Sequence, residues 1–155
     1  MRKSILLCFL IFLCASGFSQ RKLIHCGTLI DGKNKELQSQ VTLIVEGNKI
    51  TAVEKGFTKA GKDDEVIDLS KKTVMPGLID MHVHLESETS KDSQLKRLTQ
   101  NEADLAFQST VYAKRSLMAG FTSVRDCGGT GVNVALRNAI NQGLVTGPRV
   151  FAAGK

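Results

Sequence analysis

The chain has 155 residues, 42% of them hydrophobic, with 21 Lys and Arg against 15 Asp and Glu and a formal net charge of +6. This length and composition suit a globular chain and exclude a disordered or fibrous class. The positive surplus includes Arg2 and Lys3 at the start and is interleaved with acids, as in Glu54-Lys55 and Lys62-Asp63-Asp64-Glu65, so it reads as a solvated surface and predicts no nucleic-acid partner.

Residues 1–19 read as a secretory signal peptide. Arg2 and Lys3 form the basic start, residues 5–13 the apolar stretch, and Gly17 and Ser19 the small residues before a cut. The apolar stretch is shorter than the ~20 residues of a spanning helix, so no stable membrane span is expected after signal removal, and the chain is expected to be exported, to the periplasm or outside the cell. Cys8 and Cys14 each follow a Leu, where a lipoprotein processing site wants a small residue, which disfavours a lipid anchor. Cleavage before Gln20 leaves Cys26 and Cys127, too few for a disulfide framework. They are open to pairing or to separate buried roles.

Residues 20–73 carry short β-like runs at 23–25, 28–30, 41–45, 49–53 and 66–69. Gly47-Asn48 suits a tight hairpin turn, and Asp31-Gly32 makes another break. Residues 56–65 read as an exposed loop. His25 has no companion at ligand spacing and is assigned a structural or exposed role.

Residues 74–155 alternate strand, helix, strand, helix, strand, the order of a parallel α/β fold. The first strand lies within Val74-Met-Pro-Gly-Leu-Ile-Asp-Met-His-Val-His-Leu85, and the polar residues 87–98 follow as a βα loop. A helix is predicted over 101–118, with Ala103, Ala106, Phe107, Thr110, Ala113 and Leu117 as its apolar stripe and Gly120 as its stop. A strand over 121–126, a helix over 132–142 and a strand over 149–153 complete the order. Gly128-Gly-Thr-Gly131 reads as a tight βα turn. A dinucleotide cradle would need a third glycine at fingerprint spacing and a later carboxylate, and no acidic residue follows Asp126.

The chemistry concentrates at His82 and His84. Alternation along a strand places Leu78, Asp80, His82 and His84 on one face, and Ile79, Met81, Val83 and Leu85 on an apolar back expected to be buried. Two imidazoles two residues apart could be the solvated polar face of a half-exposed strand, but the preceding Pro76-Gly77 break and the polar residues bunched at the carboxyl end, where parallel barrels gather their active sites, favour one divalent ion gripped from one side. Asp80 and Asp126 are candidates for orienting ligands or water. Alternatively, Asp80 is a hydrogen-bonded interior carboxylate and Asp126 a residue that starts the following helix.

The stretch from Val74 to Leu85 resembles the first barrel strand of the metal-dependent amidohydrolase superfamily. The resemblance extends through Gly27-Thr-Leu-Ile-Asp-Gly32, Val45-Glu-Gly-Asn-Lys-Ile-Thr-Ala-Val53, Val66-Ile-Asp-Leu69, Ala119-Gly-Phe-Thr-Ser-Val-Arg-Asp-Cys-Gly-Gly129 and Gly147-Pro-Arg-Val-Phe-Ala-Ala-Gly154. Within the superfamily the chain is most similar to the imidazolonepropionase-like and Xaa-Pro or Xaa-Lys/Arg dipeptidase-like group.

After the signal peptide read at 1–19, the resemblance implies strands of a small β-sandwich domain at 20–73 and the first three strands of a (β/α)8 TIM-type barrel at 74–155. A whole barrel takes about 250 residues, so the barrel is incomplete in this chain. The implied function is metal-dependent hydrolysis of amide, peptide or cyclic-amide C–N bonds on a small-molecule or dipeptide-like substrate, with one or two divalent ions, usually zinc. His82 and His84 would hold the first ion. In the superfamily the other ligands and the catalytic acid/base come from later strands: often a carboxylated lysine on the fourth, histidines on the fifth and sixth, and an aspartate on the eighth. All of these are expected beyond Lys155, which is not assigned the lysine's role. The alternative is a non-catalytic truncated fragment with at most weak metal binding. Nothing in the sequence sets the oligomeric state.

Overall fold

The computed structural model describes residues 20–155, so the signal segment expected at 1–19 lies outside the described residues. The chain forms two compact units that divide between Pro76 and Gly77.

The first unit is a four-stranded sheet of β1 (Arg21–Leu29), β2 (Gln38–Glu46), β3 (Lys49–Lys55) and β4 (Glu65–Val74), in the order β3-β2-β1-β4. The β1–β2 and β2–β3 pairs are antiparallel, whereas β4 lies parallel to β1. Cys26, Leu29, Val41 and Leu43 form its buried apolar cluster, with Ile24 and Val74 packed against them.

The two runs expected at 23–25 and 28–30 are one continuous strand, β1, with Gly27 inside it. The register with β4 slips between Cys26 and Thr28, and a Cβ at Gly27 would overlap the carbonyl oxygen of Ser70. The glycine therefore permits a close backbone approach at a bulge instead of ending the strand.

The loop before β4 is tied down by Arg21, whose Nε and Nη2 donate to the two Asp64 carboxylate oxygens at 2.9 and 2.6 Å. This bidentate pair, with the Gly61 N–H, pulls the Asp64 carboxyl down to about 2. His25 stacks on Phe57 with ring centroids 5.1 Å apart and donates from Nε2 to the Thr58 carbonyl at 3.1 Å, a structural role.

The second unit runs β5 (Leu78–Val83), α1 (Ser93–Thr99), α2 (Glu102–Met118), β6 (Phe121–Asp126), α3 (Val132–Asn141) and β7 (Arg149–Ala152). Its three strands are parallel in the order β5-β6-β7. Helix α2 packs on β6 and α3 on β7, around a core of Leu85, Ala113, Val124, Leu136 and Val150. Helix α2 starts at a capping box: the Asn101 side chain accepts the Ala103 and Asp104 N–H groups, and Asp104 accepts that of Asn101.

Three expectations need correction here. The polar segment after the histidines contains the short helix α1, because polar residues of good helix propensity carry no apolar period to announce it. In α2 the buried positions are Ser109 and Ala113, while Phe107 is 78% exposed. Small residues let the helix approach β6 closely, and the Ser109 hydroxyl is satisfied by the Ala106 carbonyl at 2.7 Å. Ile79 and Met81, expected on a buried back, are 64% and 61% exposed. They lie on the edge strand, while α2 and α3 cover β6 and β7; only Val83 and Leu85, near the strand's end, join the core.

Among the described residues no helix is long and apolar enough to cross a membrane. Cys26 and Cys127 are both free thiols, and burial raises the Cys26 thiol above its ordinary value.

Candidate functional site

The carboxyl ends of β5, β6 and β7 are laced together by one buried carboxylate. Asp126 has no solvent exposure. It accepts the Leu85 N–H at 2.8 Å, the Gly128 N–H at 3.1 Å and the Asn133 side-chain amide at 2.9 Å. Asn133 also donates to the Gly154 carbonyl just past β7, at 3.1 Å, so Asp126 and Asn133 fix the rim on which the loops sit. A buried carboxylate needs such donors to offset its lost hydration.

On this rim the rings of His82 and His84 lie with centroids 5.4 Å apart, edge towards face. A local irregularity lies beside them: between Asp80 and Val83 strand β5 advances three residues while β6 advances two. One extra residue on β5 makes a bulge, a device that redirects side chains beside active sites. Asp80 supports it by accepting the His82 N–H on its own carboxylate at 3.0 Å. The Asp80 side chain therefore holds the strand backbone.

The ring of His84 donates from Nδ1 to the Gly128 carbonyl at 2.8 Å. A carbonyl can only accept, so Nδ1 carries the proton and the Nε2 lone pair is left free, the arrangement that prepares an imidazole for a metal. The two histidines offer nitrogen donors of the kind a divalent ion takes. They do not complete its shell: among the described residues no group of three or more His, Cys, Asp and Glu side chains converges as a metal site, whereas a catalytic zinc takes three protein ligands.

Beside His84 opens a cleft of about 950 Å³, lined by Glu86, Glu88, Lys96, Gln100 and Tyr112 among others. Arg115 lies 3.4 Å from Glu88 and over the Tyr112 ring at 5.7 Å. Burial, aided by the charge of Glu88, pushes the Tyr112 hydroxyl above its usual value.

The structure brings His82, His84 and the Asp126 network to one rim, with Asp80 on the backbone behind them. Sequence reasoning missed Glu86 and Asn133, which are 6% and 0% exposed. A signal was present: α3 begins at Gly131 with no side-chain cap and no acidic residue in its first turn. A buried helix start of that kind requires a cap from elsewhere in the chain.

Comparison with known proteins places this geometry. A model of the amidohydrolase family matches residues 73–155. A solved Xaa-Pro dipeptidase, with methionine bound in its active site, superposes with a TM-score of 0.82 at 42% identity, covering 88% of this chain and 34% of that one. The dihydroorotase of Pelotomaculum thermopropionicum is 35% identical over 104 residues, 66% of this chain and 20% of that protein. The imidazolonepropionase of Alkaliphilus metalliredigens is 42% identical over 57 residues, 34% of this chain and 14% of that protein. The chain therefore spans about a third or less of the length of these relatives, and its parallel unit corresponds to part of their barrel. With a matching family model over more than half its length and the two histidines at the end of its first parallel strand, the chain belongs to the amidohydrolase family.

Proposed function

We propose that the chain is the metal-holding front part of a hydrolase that cleaves C–N bonds in small amide substrates, with dipeptides and cyclic amides as the substrate class. The observation that carries this reading is the pairing of His82 and His84 at the carboxyl end of β5, with the Nε2 lone pair of His84 left free by its bond to Gly128. The relatives support the bond class, being a dipeptidase, a dihydroorotase and an imidazolonepropionase.

His82 and His84 would hold one divalent ion, zinc by ligand type. When bound there, such an ion would supply Lewis-acid chemistry: activation of a water near neutral pH and polarisation of an amide carbonyl. This chain's own residues position those ligands. Asp80 holds the His82 backbone, and Asp126 holds both the residue after His84 and the residue that accepts its ring proton. Lys96, Gln100 and Tyr112 in the adjoining cleft offer polar contacts to a substrate. The other ligands, a second ion and the proton-transferring group would come from strands after those of this chain. The order of basic and apolar residues at 1–19 supports export to the periplasm or the exterior.

The test is to read the coding DNA past the Lys155 codon, then assay the encoded protein with zinc on a panel of dipeptides and cyclic amides. In-frame His, Lys and Asp positions, with hydrolysis abolished by H82A or H84A, would support the reading. An authentic stop codon and no hydrolysis would overturn it. The second reading would then hold, a fragment with a weak metal grip, and the observation favouring it is that among the described residues no third His, Cys, Asp or Glu joins the two imidazoles.

A further inference from the structure

Glu86 lies two residues after His84 and is nearly buried, at 6% exposure. Its side chain is used at the far end of the neighbouring loop: Oε2 accepts the Thr130 N–H at 2.7 Å and Oε1 the Asn133 N–H at 2.8 Å. Both donors belong to the start of α3, which has no cap of its own because Gly131, at φ 108°, has no side chain to supply one. A carboxylate accepting N–H groups at a helix start is favoured by hydrogen bonding and by the helix dipole together. Here it arrives from 47 residues away in sequence.

The fit is specific on both sides. A Cβ added at Gly129 would stand 2.5 Å from both Glu86 oxygens, so only glycine leaves room for the carboxylate. The seat of Glu86 thus fixes the loop 127–131 against the end of β5, and that loop carries the Gly128 carbonyl that receives the His84 ring proton. The same anchoring occupies the Thr130 and Asn133 N–H groups, which a phosphate at this turn would need.

We propose that Glu86 is a positioning residue for His84: by capping α3 from the other loop it holds the Gly128 carbonyl against Nδ1 and so keeps Nε2 directed outwards as a ligand. The consequence for metal affinity rests on the metal reading above, whereas the effect on the ring does not.

The experiment uses the full chain with ¹⁵N-labelled histidine and compares it with E86Q and G129A. The first variant replaces one acceptor oxygen with an amide; the second places a methyl where the carboxylate sits and leaves Glu86 itself intact. Long-range ¹H–¹⁵N correlation reads which nitrogen of His84 carries the proton, and zinc affinity is measured against a competing chelator. The expected result is an Nδ1-protonated ring in the unaltered chain, a mixture of tautomers in both variants, and zinc affinity about 10–100-fold weaker in both. A folded E86Q or G129A that keeps the unaltered tautomer would overturn the proposal, and G129A decides if E86Q does not fold. If the tautomer shifts as expected while no form binds zinc, the role of Glu86 stands and the metal reading fails.

Discussion

The side-chain amide of Asn133 donates to the Asp126 carboxylate at 2.9 Å, and neither residue is exposed to solvent. This bond joins the start of α3 to the end of β6, and through the Leu85 N–H it reaches the end of β5. Removing it leaves a buried carboxylate short of a donor. Asn133→Ala is expected to lower the stability of the parallel unit by about 2–3 kcal/mol, the scale of a hydrogen bond to a charged group, read as a fall in the urea midpoint. An unchanged midpoint would show that solvent takes over the lost donor.

The packing of α2 and α3 gives a contrast. Leu136 is 4% exposed in the core, whereas Phe107, the larger apolar residue, is 78% exposed. Leu136→Ala should cost about 2–5 kcal/mol, and Phe107→Ala should stay within about 0.5 kcal/mol of zero. Chemical denaturation of the two variants side by side checks this. A large loss at Phe107 would mean that α2 buries the stripe expected from its sequence.

Gly27 tests the first unit. With the Ser70 carbonyl occupying the place of a Cβ, Gly27→Ala must push β1 and β4 apart, at a cost of about 1–3 kcal/mol as for other overpacked sites. Amide exchange in the β1–β4 ladder should quicken, while that in β2–β3 changes less. Uniform exchange rates would contradict the local account.

The Arg21–Asp64 pair sets an acid dependence. The folded-state carboxyl is held at about 2 by its bond to Arg21, below the ~3.9 of an unfolded aspartate. Its stabilisation is therefore fully present above ~4 and is lost as pH falls towards 2. Asp64→Asn should flatten the acid side of the stability profile in that window and leave the slope near neutrality unchanged. A profile as steep as before would show that the pair contributes nothing measurable.

Edges and exposed apolar residues predict self-association. Strands β5 and β7 bound the three-stranded sheet, and Ile79, Met81, Phe107, Met118 and Phe151 are all exposed. Such edges and patches invite pairing with other chains. Light scattering of the purified full chain should show concentration-dependent association. A compact monomer with cooperative unfolding at all concentrations would contradict it.

Much of the parallel unit was legible because its signals are local. The strand at Phe121–Asp126 follows Gly120, the stop of α2, the Asn101 cap precedes α2 in sequence, and α3 shows an apolar period in Val132, Leu136 and Ile140. The His82 and His84 pair was legible for the same reason, since strand alternation alone puts both rings on one side. What escaped depends on contacts distant in sequence. The place of Glu86 is set by the uncapped start of α3 and by room beside Gly129, and neither can be seen from its neighbours. The exposure of Ile79 and Met81 follows from strand order, which alternation does not encode. The continuity of β1 through Gly27 escaped because a bulge needs its partner, Ser70, to be known.

The account centres on His82 and His84 as two nitrogen ligands of a single ion, and calorimetric titration of the full chain with zinc tests that most directly. His25, the third histidine, is packed against Phe57 and serves as the control. The account predicts one zinc per chain, lost in the H82A/H84A double variant and retained in H25A. Zinc uptake of the same stoichiometry and affinity in the double variant would contradict it.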